Sequence, residues 1–106
     1  PNNLAFVGFS QGCMMSIQVG LKRKKQINCL IGYSGKVINQ KHLSNNVNSK
    51  PKIFLMHGEN DTIVSPTYLL EAKEYLKTEY NITKLPLLNF QIIKIYWFKQ
   101  LVFLGL

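Results

Sequence analysis

Apolar positions along this chain fall into short continuous runs separated by amphipathic stretches. Leu4 to Val7 (LAFV) is an apolar run entering Gly8, and from Gln11 to Lys24 the positions Cys13, Met14, Ile17, Gly20 and Leu21 recur at helical spacing. Ile27 to Tyr33 (INCLIGY) is a second strand-like run, followed by a polar loop rich in Asn, Ser and Lys from Ser34 to Lys50. Pro51 opens a third run, Lys52 to His57 (KIFLMH). After the loop Gly58 to Ser65, Ser65 and Pro66 supply a cap and a proline at the first helical position. Leu69, Ala72, Leu76 and Tyr80 then recur every three or four residues, which predicts a helix with one apolar face that stops near Asn81. Strand runs that are apolar throughout, rather than alternating, predict an open, mostly parallel sheet with flanking helices on both faces, an α/β fold.

Leu85 to Leu106 differs in kind: Leu, Ile, Phe and Lys dominate, and Asp, Glu and His are absent. The chain therefore divides into a partial α/β domain over 1–84 and an atypical apolar tail over 85–106, whose character fits a shifted reading frame. The tail is long enough to cross a membrane, but Asn89, Gln91, Lys94, Lys99 and Gln100 interrupt it, which argues against a span. Ile92, Ile93, Ile95, Tyr96, Trp97 and Phe98 combine strand propensity with little charge. With an open edge at the Leu4 to Val7 strand, they predict self-association.

Composition narrows the picture further. A length of 106 residues with 46% apolar content allows one small domain. The chain opens on Pro-Asn-Asn and enters its first strand at Leu4, so the expectation is a fold entered partway, the carboxyl-terminal half of a larger domain. Net charge is +8, and the first acidic residue is Glu59. That balance suggests nucleic acid or a small basic binding module. However, the contiguous cations Lys22, Arg23, Lys24 and Lys25 fall where a helix ends and its dipole favours them, and no aromatic interleaving accompanies them. No nucleic-acid partner is expected. Cys13 and Cys29 match no metal or redox spacing, no secretory leader pattern opens the sequence, and buried free thiols fit a cytoplasmic location.

Gly8-Phe9-Ser10-Gln11-Gly12 matches G-x-S-x-G, and it stands between a predicted strand and a predicted helix, the context the pattern requires. Such a turn projects the serine hydroxyl from the sheet, and flanking glycines let strand and helix backbones approach closely. Ser10 is thus the candidate nucleophile. The Gln11 backbone N–H, at a helix N-terminus, is the candidate donor to a developing oxyanion.

GFSQG followed by CMMSIQVGL resembles the nucleophile region of the phospholipase/carboxylesterase family of α/β-hydrolases, which includes acyl-protein thioesterases and relatives of dienelactone hydrolase. His57-Gly58-Glu59-Asn60-Asp61-Thr62-Ile63-Val64 resembles the family's H-G-x-x-D-x-x-V segment, and the helix through Glu71 and Ala72 is similar to its next helix. The resemblance covers Leu4 to Lys84. It implies a serine esterase acting on a small carboxylic ester or thioester, with no cofactor or metal and with Asp61 as the triad acid. Glu59 competes for that role, but a solvated loop carboxylate is the simpler reading.

The family's histidine follows one further strand, so it belongs beyond Lys84, where this sequence has none. His42 and His57 both precede Asp61, whereas triads of this fold run Ser, acid, His. His42 reads as a surface residue, and His57, ending a strand, reads as a structural, hydrogen-bonded histidine. The chain is therefore expected to be inactive as given, and the alternative is a noncatalytic remnant of a broken hydrolase gene. Ser34, in GYSG, lacks the second glycine of an elbow and reads as part of a substrate-side loop. Cys13, on the apolar face of its helix, reads as an inert thiol.

Overall fold

The apolar runs become strands of one sheet. A computed structural model of the chain describes residues 3–80 and 88–93. β1 (Ala5–Phe9), β2 (Cys29–Tyr33), β3 (Lys52–Gly58) and β4 (Leu88–Ile93) lie side by side in that order, every neighbouring pair parallel. Parallel neighbours cannot be joined by a tight hairpin and need a crossover. α1 (Gln11–Lys22) makes the crossover from β1 to β2, and α3 (Thr67–Tyr80) lies on the one from β3 to β4. The segment between β2 and β3 carries a short helix, α2 (Gln40–Ser44).

Side chains in register decide which face is covered. Phe6, Leu30, Ile53 and Leu88 form one row across the sheet, and Leu30 and Ile53 are fully buried there. Ile17 and Leu21 of α1, Leu43 of α2, and Leu69, Ala72, Leu76 and Tyr80 of α3 join the same core. The predicted apolar face of α3 is thus the one that packs. The next row, Val7, Ile31, Phe54 and Asn89, looks the other way, with Val7 67% and Phe54 37% exposed. Helices were expected on both faces. Among the described residues they cover one, because every helix contributes its apolar stripe to the same core.

α2 corrects the expectation of a plain loop over 34–50. It is one turn long and polar except for Leu43, which is buried and anchors it. Asn48 and Ser49 then donate their backbone N–H groups to the Leu21 carbonyl at 2.8 and 3.0 Å, so this segment satisfies the end of α1. The basic run does fall at that end: α1 stops at Lys22, with Lys24 and Lys25 exposed beyond it. β4 lies beyond Lys84, inside the segment set apart by composition, and supplies the further strand expected after α3. The rest of that segment, whose length suits a membrane span and whose aromatic cluster at 96–98 enters the expected self-association, lies outside the described residues. No helix among the described residues is long and apolar enough to cross a membrane.

All four strands run in the same direction, so their carboxyl ends share one edge of the sheet. Ser10 follows β1, Ser34 follows β2 and Asp61 follows β3 by a short turn. Reactive groups of open α/β sheets gather at that edge.

Candidate active site

Ser10 occupies the sharp turn from β1 into α1. Its backbone has φ 56° and ψ −115°, outside the wells that residues with a side chain ordinarily adopt. Holding such a conformation costs of order 1–3 kcal/mol, and it persists where the surroundings over-determine it. Here the Ser10 N–H donates to the Tyr33 carbonyl at 2.8 Å, which ties the turn to β2, and the Ser10 carbonyl accepts from Met14 N–H at 3.1 Å, which starts the helix. Although Ser10 sits at the N-cap, its side chain makes no capping hydrogen bond, so Oγ is not consumed by the helix. Gln11, the first helical residue, is exposed.

The two glycines of the motif turn out to do different work. A Cβ on Gly8 would lie 2.3 Å from the Gly12 carbonyl oxygen and 2.6 Å from the Cys13 nitrogen. Strand and helix backbones can meet there only because Gly8 has no side chain. A Cβ on Gly12 would meet nothing within 4 Å among the described residues. The close approach expected of both glycines therefore rests on Gly8 alone.

Asp61 is held by its own loop. Its Oδ1 accepts from the backbone N–H groups of Ile63 at 3.0 Å and Val64 at 2.9 Å, and its Oδ2 lies 3.6 Å from His57 Nε2. The side chain is 2% exposed. Glu59, the competing acid, is exposed. The loop thus draws one carboxylate in and leaves the other in solvent.

His57 is buried, and its Nε2 lies 2.8 Å from the Val64 carbonyl oxygen. A carbonyl accepts and never donates, so Nε2 carries the hydrogen of that bond. The ring belongs to β3, two strands from β1, and strand spacing sets that separation at roughly 10 Å. A general base must come within about 3 Å of the proton it takes. His42 is exposed on α2. The structure therefore brings Ser10 and Asp61 to one edge of the sheet and hands neither histidine to Ser10.

Ser34 stands at the end of β2 as expected, with its side chain 1% exposed. Its φ is 53°, the left-handed region. Cys13 matches its reading. Its sulfur packs against Gly32 and Gly35, where an added Cβ would lie 2.4 and 2.5 Å away. Burial pushes the thiol up to about 12, slightly offset by a hydrogen bond with the Gly35 backbone. Such a thiol holds its proton and is no nucleophile.

A parallel sheet with a serine on a strained strand-to-helix turn and an aspartate beyond a later strand defines the α/β-hydrolase class. Within it, the chain belongs to the phospholipase/carboxylesterase family, which it matches over residues 1–91, a span that reaches into β4. It is similar to acyl-protein thioesterase 1 of Yarrowia lipolytica, 27% identical over 81 residues that make up 74% of this chain and 36% of that protein. Among solved structures it resembles esterase PE8, with a TM-score of 0.79 and 29% identity over 89% of this chain and 41% of the other. It shares its fold with MGS-M1, an alpha/beta hydrolase enzyme from a Medee basin deep-sea metagenome library, at a TM-score of 0.64 and 23% identity, covering 90% of this chain and 39% of that one. The chain thus spans between 36% and 41% of the length of these three relatives.

Proposed function

We propose that this chain carries the nucleophile and acid of a serine hydrolase acting on carboxylic esters or thioesters. The observation that carries the proposal is Ser10 at φ 56° on the strand-to-helix turn, with its hydroxyl unclaimed by the cap. In the reaction a base takes the Ser10 proton while Oγ attacks the acyl carbonyl. The Gln11 N–H, at the positive end of α1, donates to the oxyanion. The leaving alcohol or thiol departs with the proton, and water then releases the acid from the acyl-serine. Asp61 orients the base and stabilises its charged form. The ester and thioester classes follow from the named activities of the relatives, an esterase and a thioesterase. Two free cysteines, one of them buried, support a reducing compartment such as the cytoplasm.

The 106 residues hold His42 and His57 and no third histidine. Since neither serves Ser10, these residues hold no base for it, and by themselves they are catalytically silent. Hydrolysis of p-nitrophenyl acetate by the chain and by its Ser10→Ala variant should proceed at the same rate. Added imidazole, acting as the base, should then place an acetyl group on Ser10 ahead of exposed serines such as Ser44, as read by peptide mass spectrometry. Acetylation of Ser10 no greater than that of Ser44 would defeat the nucleophile assignment. A Ser10-dependent rate without imidazole would show that the chain supplies its own base.

A further inference from the structure

The segment through Lys36 reaches from the first turn of α1 to the first turn of α3. Between the carboxyl end of a strand and the helix that follows it, Lys36 is the single cationic side chain among the described residues. Its ammonium lies 4.7 Å from the centre of the Tyr68 ring, and Tyr68 belongs to the first turn of α3, just past the loop that holds Asp61. The face of an aromatic ring attracts a cation and fixes it without cancelling its charge. Among the described residues no carboxylate lies within ion-pair distance of Lys36. Lys36 and Tyr68 are both partly exposed, so the charge is held and still open to a ligand.

The backbone on either side is fixed beside the candidate nucleophile. A Cβ on Gly35 would lie 2.5 Å from the Cys13 sulfur and 3.4 Å from the Met14 nitrogen, and that nitrogen donates to the Ser10 carbonyl at 3.1 Å. Two short contacts thus separate Gly35 from the elbow, and Lys36 is the next residue. After it, Val37 is buried in the core, and the Ile38 carbonyl accepts from the Gln18 side chain of α1 at 2.6 Å. With its neighbours seated on α1 and the core, and its ammonium held at Tyr68, Lys36 stays at the edge that carries Ser10 and Asp61. Both α1 and α3 also begin at that edge and present their positive ends there. Asp61 does not offset this, since its own loop already binds its Oδ1.

We propose that Lys36 determines substrate specificity by pairing with an anionic group, such as a carboxylate, carried by the ester or thioester whose carbonyl Ser10 attacks. Tyr68 holds the ammonium where that group arrives, and a cation pairs with an anion through a charge-assisted hydrogen bond. A neutral ester of the same length leaves the ammonium facing water and gains nothing from it. Selection is therefore by charge rather than by length. The part played in catalysis rests on Ser10 as the nucleophile, proposed above, whereas the anion site itself does not.

The test is NMR titration of the full chain with three small esters: monomethyl succinate, charged in its acyl part; acetoxyacetate, charged in its leaving part; and neutral methyl butyrate. With no base for Ser10 none of them is turned over, so binding is read alone. At least one anionic ester should move the Tyr68 ring resonances together with the Gly35 and Gln11 amides, and bind about tenfold or more tightly than methyl butyrate. Lys36→Met should abolish that preference and Lys36→Arg should keep it. Both replacements retain a long apolar stem against Tyr68, which preserves the packing. Equal binding of charged and neutral esters by the unaltered chain, which needs no variant, overturns the proposal. So does an anionic preference that survives in Lys36→Met. Failure of the Ser10 assignment is read elsewhere, in the imidazole-dependent acetylation of Ser10 against Ser44, so the two are separable.

Discussion

Gly8→Ala places one methyl group where the first turn of α1 crosses β1. The new Cβ would sit 2.3 Å from the Gly12 oxygen, 2.4 Å from the Gly12 carbonyl carbon and 2.6 Å from the Cys13 nitrogen. Ordinary contact begins at 3.4 Å, so the helix must retreat by roughly 1 Å. All three clashing atoms are backbone, and no side chain can swing away. Retreat is resisted at two points: the Ser10 N–H is bonded to Tyr33, and the Cys13 sulfur is wedged against Gly32 and Gly35. Overpacking typically costs 1–3 kcal/mol, and a backbone clash belongs near the top, about 3 kcal/mol. In a domain of this size each kcal/mol shifts the melting midpoint by about 4–8 °C, so a drop of about 12–24 °C is expected. Gly12→Ala is the control. It meets nothing within 4 Å and gains helix propensity, of order 0.5 kcal/mol in a first turn, so it should be neutral or mildly stabilising. Thermal and urea unfolding followed by far-ultraviolet circular dichroism measure both variants. Gly8→Ala unfolding within about 1 kcal/mol of the parent, or Gly12→Ala proving the more damaging, would refute the argument.

Two other outcomes follow from burial and from strand order. Burial raises the Cys13 thiol from 9.0 to about 12, so the folded chain holds that proton more tightly than the unfolded chain does. Its contribution is complete below pH 9 and is lost as pH rises toward 12, at up to about 1.4 kcal/mol per pH unit. Urea midpoints above pH 9 should therefore fall less steeply in Cys13→Ala, and equal slopes would show that the thiol is not the group titrating; Tyr80, raised by burial in the same direction, is common to both proteins. Self-association is expected through the edge of β1, and deletion of 85–106 should increase it, since β4 goes with that segment and leaves the edge of β3 unpaired. Size-exclusion chromatography giving a smaller species for the shortened chain than for the full one would show that β4 does not guard that edge.

Much of the fold was legible because it depends on local periodicity. Continuous runs at Leu4 to Val7 and Lys52 to His57 marked β1 and β3, and the spacing of Leu69, Ala72, Leu76 and Tyr80 marked the buried stripe of α3. α2 escaped because one turn is too short for a period to register, and Leu43 is its single apolar anchor. β4 escaped because Asn89 and Gln91 break the apolar run, a pattern natural to a strand whose alternate residues are exposed on the open face of the sheet. Of the site, the G-x-S-x-G turn and the Asp61 loop were readable as motifs with their own backbone chemistry.

The sequence by itself determined the first three strands, the helices α1 and α3 between and after them, and the turn that carries Ser10, since each depends on residue type at a fixed local spacing. Which glycine permits the elbow, which carboxylate is buried, and which strands lie side by side were decided by tertiary structure alone. These depend on where separate segments meet: Gly8 against the first turn of α1, the Asp61 loop folding back over the end of β3, and β2 in register with β3. Through-space contact between distant residues leaves no period in the chain, so only the folded sheet brings such contacts into being.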